Sequence, residues 1–338
     1  MATHAEFGAK TTATEVANAF AGRIEGLTVV VTGVNPKGLG TAAVKAIAEH
    51  SPAHIVITGR TQEKLDEVIK DLNASFPKVR TTSVTMDLSS LRSVRNAAAK
   101  INEAVDAIDV LLNNAGIMAL PNHEISENGF EMHLATNHIG HFLLTNLIMD
   151  KLRQAAAKRP GSTRIVNLTS LGYQFSPFRF QDYNFEGHPV AEDEIGVESF
   201  LASYGYPWEL YKSYDSMIAY GQSKTANILF TTYLAKHLAS AGISSFALHP
   251  GVIHTELGRY LSQEVLSAMK FSVPNWKTQA EGAATSVVAA FDPALKDHTG
   301  AFLIDCQIAT PAPYAVDQDH AEKLWKLTEK FVGEEFKL

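Results

Sequence analysis

The feature that most constrains this chain is a repeated alternation between short β-branched apolar runs and longer segments of helical periodicity. Residues 27–32 (LTVVVT) are almost continuously apolar, as a parallel strand buried on both faces requires. Residues 54–59 (HIVITG), 82–86, 110–113 (VLLN), 165–169 (IVNLT) and 244–249 (SSFALH) repeat that pattern. Between them, residues 39–50, 62–76, 91–105, 137–153 and 220–238 predict helices. This rhythm builds right-handed βαβ units, so the expected fold class is α/β, a single doubly wound parallel sheet with helices on both faces. No linker and no internal repeat interrupts the alternation, and residues 27–338 read as one domain. Residues 1–26 precede it as an extension. The first ten show no tethering pattern, whereas Thr12 and Glu15 have capping-box spacing before a short helix with Val16, Phe20 and Ile24 on one face.

Residues 172–219 break the rhythm. Tyr173, Phe175, Phe178, Phe180, Tyr183 and Phe185 fall in the first part of this insertion. Phe200, Tyr204, Tyr206, Trp208, Tyr211 and Tyr214 fall in the second, with Glu192, Asp193, Glu194 and Glu198 between. A disordered linker lacks such aromatic density. Two readings stand: a packed insertion with an acidic outer face, or the wall or lid of an apolar substrate site.

Chemistry enters where the first strand ends. Thr32-Gly-Val-Asn-Pro-Lys-Gly-Leu-Gly40 leads into a helix. Glycines there let a backbone approach a pyrophosphate, and the helix N-terminus offers free N–H groups and partial positive charge. The spacing of Gly33 and Gly38 also fits the start of a P-loop, but Leu39 and Gly40 replace the Lys and Ser/Thr that a nucleotide triphosphate site needs. About 20 residues past such a turn an acid commonly holds the adenosine ribose. Here the second strand ends in Gly59-Arg60 and Lys37 sits in the turn, cations that favour the 2′-phosphate of NADP(H) over NAD(H). Further on, Tyr220 and Lys224 are four apart, on one helix face. An ammonium there would lower the phenol pKa from about 10 and make it a usable acid or base.

These motifs together resemble the short-chain dehydrogenase/reductase family, and its retinol dehydrogenase-like and fungal NADP-dependent reductase branch. The resemblance runs from Leu27 to Asp305. It rests on the Thr32–Gly40 turn, Asp87-Leu88, Asn113-Asn-Ala-Gly116, Asn137-His-Ile-Gly-His141, Asn167-Leu-Thr-Ser170, Tyr220-x-x-x-Lys224 and His249-Pro-Gly251. It implies a Rossmann-type sheet and a catalytic set of Asn137, Ser170, Tyr220 and Lys224. Tyr220 would give a proton to the substrate oxygen that Ser170 orients, the nicotinamide supplying hydride. Lys224 would hold the nicotinamide ribose, and Asn137 a water leading from Lys224 to solvent. Gly33, Lys37, Gly38, Leu39, Gly40 and Arg60 would meet the phosphates, and Asp87 and Leu88 the adenine. Asn114, Ala115, Gly116, Pro250 and Gly251 would line the cofactor, and Ile253 and Thr255 would hold its carboxamide end. Three departures accompany the match: the glycine turn is one residue longer than usual, Ser170 and Tyr220 are separated by the insertion, and Thr169 offers a second hydroxyl.

The implied activity is NADPH-dependent interconversion of a carbonyl and an alcohol, on a bulky apolar or aromatic small molecule. The alternative is a regulatory protein that binds NADPH without turnover, a role that would not require the intact catalytic set. A net charge of −7 disfavours nucleic acid as a partner. The sole cysteine, Cys306, excludes an intrachain disulfide and disfavours a zinc-type alcohol dehydrogenase. His138 and His141 lack a third metal ligand, and Gly221-Gln-Ser-Lys-Thr225 lacks the last glycine of a hydrolase elbow. No apolar run reaches about 18 residues, and the first ten lack a secretory core, so no metal, no membrane span and a cytoplasmic location are expected. Leu324, Trp325, Leu327 and Phe331 have helical spacing that would serve a core or an interface, leaving monomer or homodimer open.

Overall fold

The computed structural model describes residues 2–196, 214–253, 255–261 and 276–338. Its strands are β1 Thr28–Val31, β2 His54–Gly59, β3 Arg80–Thr85, β4 Val110–Asn113, β5 Thr163–Leu168, β6 Ile243–His249, β7 Phe302–Ile304 and β8 Gln307–Ala309. They form one sheet in the order β3-β2-β1-β4-β5-β6-β7-β8. Pairing is parallel through β7, and β8 returns antiparallel. Strand order reverses between β1 and β4, which leaves a crevice at the carboxyl ends of these strands.

Strand periodicity explains why both faces are covered. Val29 and Val31 enter one core and Val30 the other; Val110 and Leu112 are likewise divided from Leu111. Successive residues point to opposite faces, and with helices on both sides neither set has to be polar. One face carries α1 Ala13–Ala19, α2 Leu39–Ala48, α3 Gln62–Ser75 and, later in the chain, Gln279–Phe291. The other carries α4 Leu91–Ala104, α5 Gly140–Leu147, α6 Met149–Lys158 and α7 Ser216–Leu238. With Gln279–Phe291 as α8, the last helix is α9, Gln318–Val332, which joins the second face through Leu324 and Trp325. No helix among the described residues is long and apolar enough to cross a membrane.

Besides β7 and the antiparallel β8, which carry no predicted strand, the terminus and helices depart from the sequence reading in four places. The first residues, expected to be untethered, are held: Thr3 N–H donates to Asp292 Oδ2 at 2.8 Å, and Gln307 Nε2 donates to the His4 and Phe7 carbonyls, each at 2.9 Å. Partners about 300 positions away leave no local signal. The expected Thr12–Glu15 capping box is present. Second, the helix predicted over 137–153 is a π-helical turn, Ala135–Ile139, then α5, then a break at Ile148 before α6. Third, α8 carries no predicted helix because every residue from Gly282 to Phe291 is buried, and a helix buried all round has no polar stripe to betray it. Fourth, α7 starts at Ser216 on an Asp215 cap, so Tyr220 lies inside the helix rather than opening it.

The described aromatics of the insertion are core, while residues 186–189 and 191–193, with Glu192 and Asp193 of the expected acidic face, are exposed. Phe178 and Phe180 join the second face, while Phe175 and Phe185 pack with Met217 and Tyr220. Glu194, expected on an acidic outer face, is buried and accepts the Phe180 N–H at 3.1 Å. Phe200, Tyr204, Tyr206, Trp208 and Tyr211 lie outside the described residues, with the rest of residues 197–213 of the expected lid.

Candidate active site

The carboxyl ends of β1, β2, β4, β5 and β6 open onto a cavity of about 480 Å³. Its floor is the junction of the turns after β1 and β4. Thr32 Oγ1 accepts the N–H groups of Asn114 and Ala115, both at 3.0 Å, and Asn114 Nδ2 donates to the Thr32 carbonyl at 2.7 Å. Gly33 has φ +70°, and a Cβ there would sit 2.5 Å from Ala115 Cα, so only glycine fits. Gly38 is the N-cap of α2 and makes no side-chain cap. The first amides of α2 therefore keep their donors for a ligand, beside a backbone stripped of side chains. A pyrophosphate fits this place. Gly38 and Leu39 line the cavity, whereas Gly40 lies one residue deeper, over Asn114.

At the far end, β2 delivers Arg60, Thr61 and Lys64 to the wall. Lys37, assigned to the same phosphate from sequence, is not among the cavity-lining residues; it is exposed on the turn, and its carbonyl accepts Gln279 Nε2 at 2.7 Å. Lys64, which the sequence reading missed, supplies the second cation one helical turn beyond Arg60. Its Nζ lies 3.3 Å from Glu256 Oε2 on the opposite wall. Leu88 lines the cavity with Met86, but Asp87 does not. The Asp87 carboxylate is taken by Ser89, whose backbone N–H and hydroxyl donate to it at 3.0 and 2.7 Å.

The chemical end is built on α7. Tyr220, Lys224 and Ser170 all reach the cavity, across the gap that the insertion opens in the sequence. The Ser170 hydroxyl stands beside the Tyr220 phenol and favours its ionised form, and Ser170 Oγ accepts the Gly172 N–H at 3.0 Å. Thr169, the rival hydroxyl, is committed elsewhere: its Oγ1 donates to the Lys224 carbonyl at 2.7 Å. Lys224 Nζ donates to the Leu168 carbonyl at 3.2 Å and lies 5.5 Å from the Tyr220 ring centre. Burial pushes Lys224 down to about 7 and Tyr220 up to about 12, the Ser170 hydroxyl opposing the latter. The expected lowering of the phenol by the ammonium is thus outweighed. Both groups sit where water is excluded, and desolvation penalises each charged form more than the neighbour rewards it. At neutral pH Tyr220 is a protonated phenol, the form that donates.

Asn137 does not line the cavity. Its carboxamide accepts the Ile117 N–H at 2.8 Å, and donates to the Ile117 carbonyl at 3.0 Å and to Ser223 Oγ at 2.8 Å. Ser223 Oγ in turn donates to the Tyr220 carbonyl at 2.7 Å. Asn137 therefore ties the post-β4 segment to α7, and the π-helical turn that carries it is a local rewinding often seen at functional sites. A Cβ on Gly116 would lie 3.3 Å from both Asn137 Oδ1 and Lys224 Nζ, so a side chain there would crowd both groups.

Asn114, Ala115 and Gly116 line the cavity from the segment after β4, and Pro250, Gly251, Ile253 and Thr255 from the segment after β6. Sequence reasoning missed the apolar lining of Ile117, Met118, Leu257, Leu261 and Trp276. Ile117 and Met118 directly follow the Asn113–Gly116 motif, which was the available signal. The others had none. No group of acids, cysteines and histidines able to hold a metal occurs among the described residues. His138 Nε2 pairs with Thr328 Oγ1 at 3.1 Å, and His141 Nε2 with Thr32 Oγ1 at 2.8 Å.

Residues 27–184 match the sequence profile described as short chain dehydrogenase. The chain is 40% identical over 246 residues to Oxidoreductase fscI of Fusarium equiseti, covering 72% of this chain and 94% of that protein. It is 35% identical over 315 residues to human Retinol dehydrogenase 13, covering 92% and 86%. The NADPH-bound carbonyl reductase from chicken fatty liver superposes with a TM-score of 0.60 at 22% identity, covering 85% of this chain and 95% of that one, a likeness of fold.

Proposed function

Because this chain belongs to the short-chain dehydrogenase family, we propose that it is an NADP(H)-dependent oxidoreductase interconverting a carbonyl and an alcohol, with Tyr220 as the proton donor in reduction. The observation that carries this reading is the convergence of Tyr220, Ser170 and Lys224 on one cavity whose other end is a phosphate-shaped glycine turn. A bound nicotinamide would supply the hydride. The protein's own part is acid–base and positional. Tyr220 holds its proton at neutral pH, with the Ser170 hydroxyl beside it in the same cavity. A substrate oxygen placed between them would accept both hydrogen bonds, and Tyr220 would pass its proton to that oxygen as negative charge develops there. Lys224, with a pKa near 7, exchanges protons readily at working pH and would restore the phenol.

Preference for NADP(H) rests on Arg60 and Lys64, two cations at the end where a 2′-phosphate would lie, and on the lack of an acid at the end of β2. The substrate class, a bulky apolar or aromatic ketone or its alcohol, rests on Ile117, Met118, Leu261 and Trp276 rather than on the insertion, whose described residues do not reach the cavity. A panel of ketones and aldehydes, followed by NADPH absorbance, tests the activity. In Tyr220→Phe, carbonyl reduction should fall at least about 100-fold, with NADPH still quenching or enhancing fluorescence at wild-type concentrations. Undiminished turnover in that variant would sink the mechanism, and a preference for small charged carbonyls would sink the substrate class.

A further inference from the structure

Ser170 lies just past the end of β5, where the chain turns into the short 3-10 segment Leu171–Phe175, and two of the hydrogen bonds at that corner engage side chains. One is its own: Gly172 N–H donates to Ser170 Oγ. The other comes from the neighbouring strand. Leu171 N–H donates to Nδ1 of His249, the last residue of β6, at 3.2 Å. His249 is buried and lines the same cavity as Ser170 and Tyr220. An imidazole nitrogen that accepts a hydrogen bond carries no proton, so the ring must be neutral with its proton on Nε2. We propose that His249 is a positioning residue for the reaction: its Nδ1 fixes the Leu171 amide, and through it the backbone that aims the Ser170 hydroxyl. The proposal rests on the reading of Ser170 as the hydroxyl that orients substrate.

The surroundings keep the ring in that state. Lys277 and Asp305 face it from beyond β6, and Lys224 and Tyr220 share its cavity. Lys277 is buried and pairs with Asp305 at 2.5 Å. Burial, followed by the Lys277 charge, lowers His249 to about 4 against the opposing pull of Asp305. Protonation of Nδ1 would turn the acceptor into a donor facing the Leu171 N–H, and the corner would lose its anchor.

Two isosteric amides separate this role from simple packing. In His249→Asn the side-chain oxygen stands near the place of Nδ1, whereas in His249→Gln the amide reaches the place of Nε2 and leaves Leu171 N–H without its partner. Turnover with a reducible ketone should stay within about threefold of wild type in His249→Asn and drop about tenfold or more in His249→Gln, with NADPH affinity unchanged, since small misplacement of a reacting group costs rate steeply. Equal kcat in the two variants would overturn the proposal. A second measurement does not depend on turnover: nitrogen-15 NMR of labelled histidine should show His249 with an unprotonated Nδ1 and a protonated Nε2, neutral down to about pH 5. The opposite tautomer would overturn it even where no substrate has been found. A wild-type protein inert on every carbonyl, with the tautomer as stated, would instead count against the enzymatic reading alone.

Discussion

Replacing Lys224 by methionine removes an amine that α7 holds buried at the cavity wall, and the structure sets the size of the effect. The fall of its pKa from 10.5 to about 7 corresponds, at about 1.4 kcal/mol per pH unit, to about 5 kcal/mol of preference for the neutral amine in the folded state. Above pH 10.5 the amine is neutral in folded and unfolded chains alike and imposes no penalty. As pH falls from 10.5 to 7 the unfolded chain takes up the proton and the folded chain does not, so stability declines. Below 7 both are protonated and the whole penalty remains. The methionine variant lacks this dependence. The one hydrogen bond it forfeits is to the Leu168 carbonyl, which keeps a second donor in Asn227 Nδ2 at 3.0 Å, so no orphaned acceptor is left behind.

Lys224→Met should therefore be more stable than wild type at pH 6 by several kcal/mol, while losing carbonyl reduction. Its advantage should shrink by about 2 kcal/mol between pH 7.5 and pH 9. Urea unfolding of the cofactor-free proteins at pH 6, 7.5 and 9 reads both quantities. A stability difference that does not change with pH, or a variant weaker than wild type at pH 6, would refute the argument that desolvation governs this lysine. Agreement would mean that the site holds its lysine against folding stability, a cost that only function explains.

Two further outcomes follow from the cofactor end. Arg60→Ala should raise the KM for NADPH about tenfold and leave that for NADH nearly unchanged, the loss of a charge-assisted pair at an exposed position; parallel steady-state titrations check this, and equal loss for both cofactors would remove Arg60 from the 2′-phosphate. Gly33→Ala combines a left-handed φ with a Cβ 2.5 Å from Ala115 Cα. It should lower the melting temperature by several degrees and weaken NADPH binding at least about tenfold, because strain of about 1–2 kcal/mol adds to displacement of the cavity floor. A variant that binds and melts like wild type would show that the turn yields more easily than its contacts imply.

Much of the architecture is legible in the sequence because strand burial leaves a local mark. Runs such as Thr28–Val31 and Val110–Asn113 are apolar on both faces only because helices cover both, and the glycine turn after β1 announces a backbone that must approach something closely. Tyr220 and Lys224 are equally legible, since helical spacing alone puts them on one face. Elements without local contrast were not. Buried from Gly282 to Phe291, α8 has no periodic stripe there, and the tether of Thr3 to Asp292 joins positions 289 apart.

Within the site the same division holds. The sequence could name the hydroxyls, the phenol and the amine through the resemblance that its ordered motifs carry, and Arg60 from the end of the second strand. It could not decide which of Thr169 and Ser170 is free, since that depends on a carbonyl of α7 claiming the Thr169 hydroxyl. Nor could it tell that Lys64 and not Lys37 lines the cavity, or that burial would outweigh the ammonium in setting the Tyr220 proton. Residue type and spacing are properties of one stretch of chain, and the sequence by itself determined them. Hydrogen-bond competition, direction of reach and desolvation are sums over neighbours brought from distant positions, and only the tertiary structure could decide those.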